Sequence, residues 1–172
     1  MFRKYKANLA MTKQQPIHVT MLLSGGIDSA ACTAFFIKQG YSVEALHFSY
    51  GQAATKKEYE SAQAIAKHYG IKLRHCRLTN AGKKQNGHIV GRNAFLLFSA
   101  LLEFSSQSGL IGIGIHAGTP YFDCAKGFID RMQLVFDGYS DGRIKISAPF
   151  LTWEKPLIWD FCANMNVPIP LT

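Results

Sequence analysis

The stretch that most constrains this chain is Ser24-Gly25-Gly26-Ile27-Asp28-Ser29. It is entered from the apolar run His18 to Leu23 and left by the helix-like run Ala30 to Ile37. The pattern reads as strand, glycine-rich turn and helix start. Two adjacent glycines admit backbone angles that a side chain forbids, and small serines at both ends let the loop amides come close to a ligand. The helix that follows aims its unpaired N–H groups and positive dipole end into the loop, so the anion this geometry favours is phosphate or pyrophosphate. Asp28 is the odd member of the set. A carboxylate beside phosphates calls for a cation such as Mg²⁺ between them, or else it caps the helix.

Gly-x4-Gly-Lys-Ser/Thr has no match in the chain, and no Gly-x-Gly-x-x-Gly follows a strand. Ser-Gly-Gly-x-Asp-Ser instead resembles the PP-loop of the N-type ATP pyrophosphatases, which cleave ATP between the α and β phosphates.

Downstream, strand-like and helix-like segments alternate. Val43–Phe48, Ile71–Cys76, Leu110–Ile115 and Ile144–Ser147 read as strands, and Thr55–Tyr69, Asn93–Ser106, Ala125–Phe136 and Lys155–Met165 as helices. This alternation predicts an α/β fold, a doubly wound, parallel, five-stranded sheet with helices on both faces. In such sheets ligands bind beyond the carboxyl ends of the strands. The motifs at Ser24–Ser29, Ser49–Gln52 and His116–Cys124 each follow a predicted strand and so share one rim. Residues 1–16 carry four basic side chains, no acid and a Gln-Gln-Pro break, and read as a flexible tail before a single domain over 17–172. Asn80–Gly91 reads as a mobile loop.

A length of 172 residues with 48% hydrophobic content suits one well-buried domain. No apolar run is long enough to span a membrane and no signal-peptide core follows Met1–Lys6, so a cytoplasmic protein is expected. Cys32, Cys76, Cys124 and Cys162 are scattered, with no Cys-x-x-Cys pair to suggest zinc or a redox centre. The net charge of +8 is uneven, since residues 61–102 contain no acid. That positive field suits a nucleotide and a carboxylate substrate first and RNA second.

Phe48-Ser-Tyr-Gly-Gln52 offers an aromatic ring, hydroxyls and an amide for a purine, and equally reads as an ordinary turn. Gly91-Arg92-Asn93 places a guanidinium and a helix-capping amide at a helix start, a site for phosphate or carboxylate. Taken in order, Ser24–Ser29, Phe48–Gln52, Gly91–Ala94, Phe122-Asp123-Cys124 and Ala148-Pro-Phe-Leu-Thr152-x-x-Lys155 resemble the 7-cyano-7-deazaguanine synthases of the queuosine pathway over about residues 18–168. The resemblance implies an adenine nucleotide alpha hydrolase-like fold, homodimers and an ATP-dependent ligase. Such a ligase adenylates the carboxylate of 7-carboxy-7-deazaguanine and passes it to ammonia, giving amide and then nitrile.

Carried onto this chain, the resemblance has Ser24, Gly25, Gly26, Asp28 and Ser29 hold pyrophosphate and its Mg²⁺. His47, Tyr50 and Gln52 border the adenosine or deazaguanine pocket, and Arg92 and Asn93 face ATP and the activated carboxylate. Tyr121, Asp123 and Cys124 line the heterocycle's site, and Lys155 neutralises phosphate charge. Asp28, Ser29, Arg92 and Lys155 are thus the expected catalytic set.

Three departures from the family pattern stand out. No zinc-binding cysteine cluster follows the last predicted helix, so the cofactors expected are ATP and Mg²⁺ without zinc. The loop His116–Pro120 is short, and Ala125 replaces the family's arginine after Cys124. Ala53-Ala54 replace basic residues after Gln52. These departures admit two alternatives, a related enzyme that joins the carboxylate to an amine on protein or RNA, and a non-catalytic ATP-binding subunit of a larger complex.

Overall fold

A computed structural model describes residues 16–79, 89–116 and 118–168. Nearly all of the basic tail, most of the Asn80–Gly91 loop including Lys83 and Lys84, and Ala117 lie outside the described residues. Five strands, β1 (His18–Leu22), β2 (Ser42–Ser49), β3 (Leu73–Arg77), β4 (Gly109–Ile113) and β5 (Ile144–Ser147), form one sheet in the order β3-β2-β1-β4-β5. Every pairing is parallel. The helices are α1 (Ile27–Lys38), α2 (Thr55–Tyr69), α3 (Arg92–Leu102), α4 (Lys126–Ser140) and α5 (Lys155–Asn164).

Period-two alternation along β1 divides the core between the two faces. Val19, Met21 and Leu23 pack with Ala30, Ala31, Phe36, Ile65 and Ile158 of α1, α2 and α5. Leu22 packs on the other face with Leu97, Phe128, Met132 and Phe136 of α3 and α4. Both faces of the sheet are therefore covered, as the sequence predicts.

Boundaries moved where side chains intervene. α3 stops at Leu102 instead of Ser106, and Arg74 takes the Glu103 carboxylate and carbonyl just beyond its end. α4 runs on past Phe136 to Ser140, whose hydroxyl donates to the Phe136 carbonyl, until Asp141 takes a left-handed φ of 49°. The motif Phe122–Cys124 is a turn of 3₁₀ helix.

Strand order reverses at β1, whose neighbours β2 and β4 leave it in opposite directions. That is the switch point where doubly wound sheets hold ligands. No helix among the described residues is long and apolar enough to cross a membrane.

Candidate active site

A cleft of about 230 Å³ opens at this switch point. Its walls are the exits of β1 (Leu22 to Ser24), β2 (Leu46 to Phe48) and β4 (Ile113 to Ile115), with Gly26, Asp28, Ser29, Tyr50, Gln52, Glu58, Arg92 and Asn93. Nine of the residues singled out in the sequence thus meet in one place: Ser24, Gly26, Asp28, Ser29, His47, Tyr50, Gln52, Arg92 and Asn93. Glu58, from the first turn of α2, joins them with no sequence signal to mark it.

The glycine-rich loop is closed by its own hydroxyls. Ser29 Oγ donates to the Gly26 carbonyl (2.8 Å) and lies 3.1 Å from Ser24 Oγ, which accepts the Gly26 N–H at 3.3 Å. The two glycines play different parts. Gly25 has φ +94°, and a Cβ there would run into the Glu58 carbonyl and lie 3.0 Å from Ser61 Cβ. Gly26 corrects the reading of two forbidden conformations: its φ of −81° and ψ of 163° suit any residue, and a Cβ would touch only Ser24 Oγ at 3.6 Å. Gly25 is needed for packing against α2, while Gly26 leaves the cleft wall bare.

Asp28 does not cap α1. Gly26 occupies the N-cap position, no side chain bonds there, and Asp28 sits within the first turn. Its carboxylate instead receives Lys155 Nζ at 2.6 and 2.7 Å, from the first residue of α5. The Pro156 that follows fits that first turn, where no backbone N–H is needed. His116 Nε2 lies 3.9 Å from Asp28 Oδ2. Neither neighbour was assigned to Asp28 in the sequence, because 127 and 88 positions separate them from it.

His47 is 1% exposed, and its Nδ1 lies 2.9 Å from the Leu23 carbonyl. A carbonyl only accepts, so Nδ1 carries the proton and Nε2 is a lone-pair acceptor, with no partner in the structure. Burial holds the imidazole below its usual pKa, so it stays neutral. Gln52 is employed within its own turn: Oε1 accepts the Tyr50 N–H (2.8 Å), and Nε2 donates to the Phe48 carbonyl (3.0 Å) and Glu58 Oε2 (2.9 Å). The amide expected to meet a purine edge braces the turn that carries Tyr50. Arg92 donates its Nε–H to Asn93 Oδ1 (3.3 Å), and burial raises the pKa of the Tyr50 hydroxyl.

Asn93 is not a helix cap either, since Gly91, in a left-handed conformation, holds that place. The buried Asn93 backbone N–H donates to Asp123 Oδ2 (3.3 Å), and its side-chain amide donates to the Asp123 carbonyl (3.0 Å) and lies 3.8 Å from Cys124 Sγ. Asp123 thereby places a negative charge at the start of α3, where the helix dipole favours it. Asp123, Cys124 and the half-exposed Tyr121 are not among the cleft-lining residues; Asp123 and Cys124 touch the cleft wall through Asn93. Among the described residues no group of three His, Cys, Asp or Glu side chains is arranged to hold a metal ion.

The chain matches the family model described as queuosine biosynthesis protein QueC over residues 18–85 and 77–172. A 7-cyano-7-deazaguanine synthase of Methanospirillum hungatei is 32% identical over 176 residues, spanning 86% of this chain and 80% of that protein. The 7-cyano-7-deazaguanine synthase 2 of Desulfitobacterium hafniense is 31% identical, spanning 87% and 75%. Among solved structures, a predicted subunit of tRNA methyltransferase from Methanocaldococcus jannaschii superposes with a TM-score of 0.58 at 15% identity, over 86% of this chain and 74% of that one. An NH3-dependent NAD synthetase from Campylobacter jejuni superposes at 0.53 and 18%, over 92% and 67%. These two share the fold, a parallel α/β architecture of the PP-loop, adenine nucleotide alpha hydrolase-like class. By motif, fold and sequence match alike, this chain belongs to the QueC family of queuosine biosynthesis proteins.

Proposed function

We propose that the chain is an ATP-dependent carbon–nitrogen ligase that adenylates the carboxylate of 7-carboxy-7-deazaguanine and transfers it to ammonia. The observation that carries this reading is the convergence of the Ser24–Ser29 loop and Arg92 on one cleft at the sheet's switch point, with Lys155, itself outside the cleft wall, held on Asp28. The family match and relatives named for this reaction support it.

A carboxylate oxygen attacks the α-phosphorus of ATP, the α–β bond breaks and pyrophosphate leaves. Ammonia then displaces AMP to give the amide. In a second round the amide oxygen is adenylated, and its departure with AMP leaves the nitrile. Positioning and positive charge are what the protein must supply to these steps. The loop amides beside Gly26 and the start of α1 would receive the β and γ phosphates. Arg92, a planar donor fork, would bridge the α-phosphate and the incoming carboxylate, with Asn93 Oδ1 holding its Nε–H. His47 Nε2, a buried acceptor without a partner, suits an N–H group of a purine-type ring. Lys155 would meet phosphate charge from the α5 side.

The donor set fits Mg²⁺: the Asp28 carboxylate stands beside the hydroxyls of Ser24 and Ser29 at the phosphate loop, and a Mg²⁺ held there with the phosphates would neutralise charge on the leaving pyrophosphate. A single domain over 17–172, a homodimer and a cytoplasmic location belong to the same reading.

One observation favours a second acceptor. Tyr121, Asp123 and Cys124 lie outside the cleft wall and Ala125 replaces the family's arginine, so the part of the site that would read the heterocycle is altered. An amine on protein or RNA is then the alternative acceptor. The test is to incubate the protein with ATP, Mg²⁺, ammonium and 7-carboxy-7-deazaguanine and follow AMP, pyrophosphate and the deazaguanine mass together. Amide or nitrile formed with AMP supports the reading; AMP formed with no change in mass moves the reaction to another acceptor; ATP bound but unspent supports a binding subunit.

A further inference from the structure

We infer that His116 is a positioning residue that holds the Asp28 carboxylate in place through its Nε2–H when Lys155 turns to phosphate. The inference rests on the proposed ATP site. Its first support is the backbone. Gly114, at the exit of β4, is pressed against the first turn of α1, so that a Cβ there would lie 2.7 Å from Ser29 N and 2.8 Å from Asp28 C. The residues that follow Gly114 are therefore delivered beside Asp28 by the sheet itself.

The second support is the tautomer. His116 is 9% exposed, and its Nδ1 accepts the Gly118 N–H at 3.0 Å. An accepting nitrogen carries no proton, so in the neutral ring the proton sits on Nε2, the atom 3.9 Å from Asp28 Oδ2. Gly118 makes this contact possible, because a Cβ at that position would fall 2.9 Å from both Cε1 and Nδ1 of the imidazole. The turn after β4 thus fixes which nitrogen is the donor and aims it at the carboxylate.

The third support is competition for Asp28. Lys155 now lies on both carboxylate oxygens, yet as a partly exposed cation next to the phosphate loop it can turn to phosphate bound there. When it does, Asp28 gives up that ion pair, and the carboxylate that would hold Mg²⁺ has Oδ2 open to another donor. A donor already within 4 Å then closes to hydrogen-bonding distance and keeps the carboxylate oriented, as site contacts that are long in the empty protein tighten on loading. A donor that orients a group in this way is commonly worth 10- to 100-fold in activity or affinity.

The experiment compares His116→Leu, His116→Gln and Gly118→Ala. With an active protein, His116→Leu is expected to lower kcat on the order of tenfold, with KM for ATP changed less than about twofold. His116→Gln, which keeps a donor of similar reach, is expected to restore most of the rate, and Gly118→Ala to fall between them. A second readout needs no turnover: in ¹⁵N-histidine NMR spectra, with His116 assigned by its absence in His116→Gln, the ring should show the Nε2–H tautomer. Its Nε2–H signal should shift on adding Mg·ATP in the wild type and stay still in Asp28→Asn. An Nδ1–H tautomer, a signal indifferent to the Asp28 change, or a fully active His116→Leu would overturn the inference. If instead the wild type turns over no ATP while the tautomer and shift are as described, the proposed reaction fails and the positioning role stands.

Discussion

Two neighbouring glycines should fail in opposite ways when each is changed to alanine. At Gly25 the backbone has φ +94° and the new methyl meets the Glu58 carbonyl and Ser61 Cβ. The strained conformation costs about 1–3 kcal/mol, and overpacking against a backbone that cannot rotate away adds roughly 1–3 kcal/mol. A loss of roughly 2–6 kcal/mol is a large share of the ~5–15 kcal/mol that holds a domain together. At Gly26 alanine is unstrained, its Cβ makes one ordinary contact at 3.6 Å, and the expense is about 0.5–1 kcal/mol of weaker helix capping. The Gly26 methyl, however, stands on the cleft wall where phosphate oxygens must approach the loop amides. Urea denaturation should therefore rank Gly25→Ala far below Gly26→Ala. Calorimetric titration with Mg·ATP should show Gly26→Ala weakened at least about tenfold, near 1.4 kcal/mol, in a protein close to wild-type stability. Gly26→Ala binding Mg·ATP within twofold of wild type would refute the placement of phosphate on this loop. Gly25→Ala with unchanged stability would refute the packing of the loop on α2.

Lys155→Met removes the cation from Asp28; because both side chains are partly exposed, stability should fall by less than about 1 kcal/mol, while the rate of AMP formation drops roughly a hundredfold. Glu44→Gln should do the reverse. Glu44, on the opposite rim of the sheet, lies within 3.2 Å of Thr20, Arg74 and Ser105 donors, so stability should fall by roughly 3 kcal/mol with Mg·ATP affinity unchanged in the same titration. For pH, burial lowers the His47 pKa below its usual 6.5, so the folded state resists protonation that the unfolded chain accepts. That stability is complete above the unfolded pKa and drains away as pH falls through the lower folded one. The midpoint of thermal unfolding should thus decline as pH is lowered below about 6.5, and His47→Gln should flatten the slope. Zinc should be absent from the purified protein at stoichiometric level, a result that elemental analysis reads directly.

Local signals carried the fold. α2 occupies the predicted Thr55–Tyr69 and ends at Gly70, which takes the left-handed conformation glycine provides, and β5 matches Ile144–Ser147. The rule that ligands sit beyond parallel strand ends put Ser24–Ser29 and Ser49–Gln52 on the rim where the cleft lies, while Tyr121, Asp123 and Cys124, placed there by the same rule, stand outside the cleft wall. What composition and spacing could not carry were pairings across long sequence distance. The Lys155 contact with Asp28, the seat of Asp123 on the start of α3, and His116 behind Asp28 all depend on which helix packs beside which strand exit. Chemical type was also misleading inside turns: Gln52 has the right amide for a purine and gives all of it to Tyr50, Phe48 and Glu58. The Asp28 side chain has the composition of a cap, yet α5 brings a lysine to it that no local pattern foretells.

The central claim is that a carboxylate oxygen of the substrate attacks the α-phosphorus of ATP. Its most direct test is to supply 7-carboxy-7-deazaguanine labelled with ¹⁸O in the carboxylate, together with Mg·ATP and ammonium, and to weigh the nucleotide product. One ¹⁸O atom transferred into AMP, with unlabelled pyrophosphate and no transfer in Asp28→Ala, is the predicted result. Unlabelled AMP, or ADP in its place, would contradict the account.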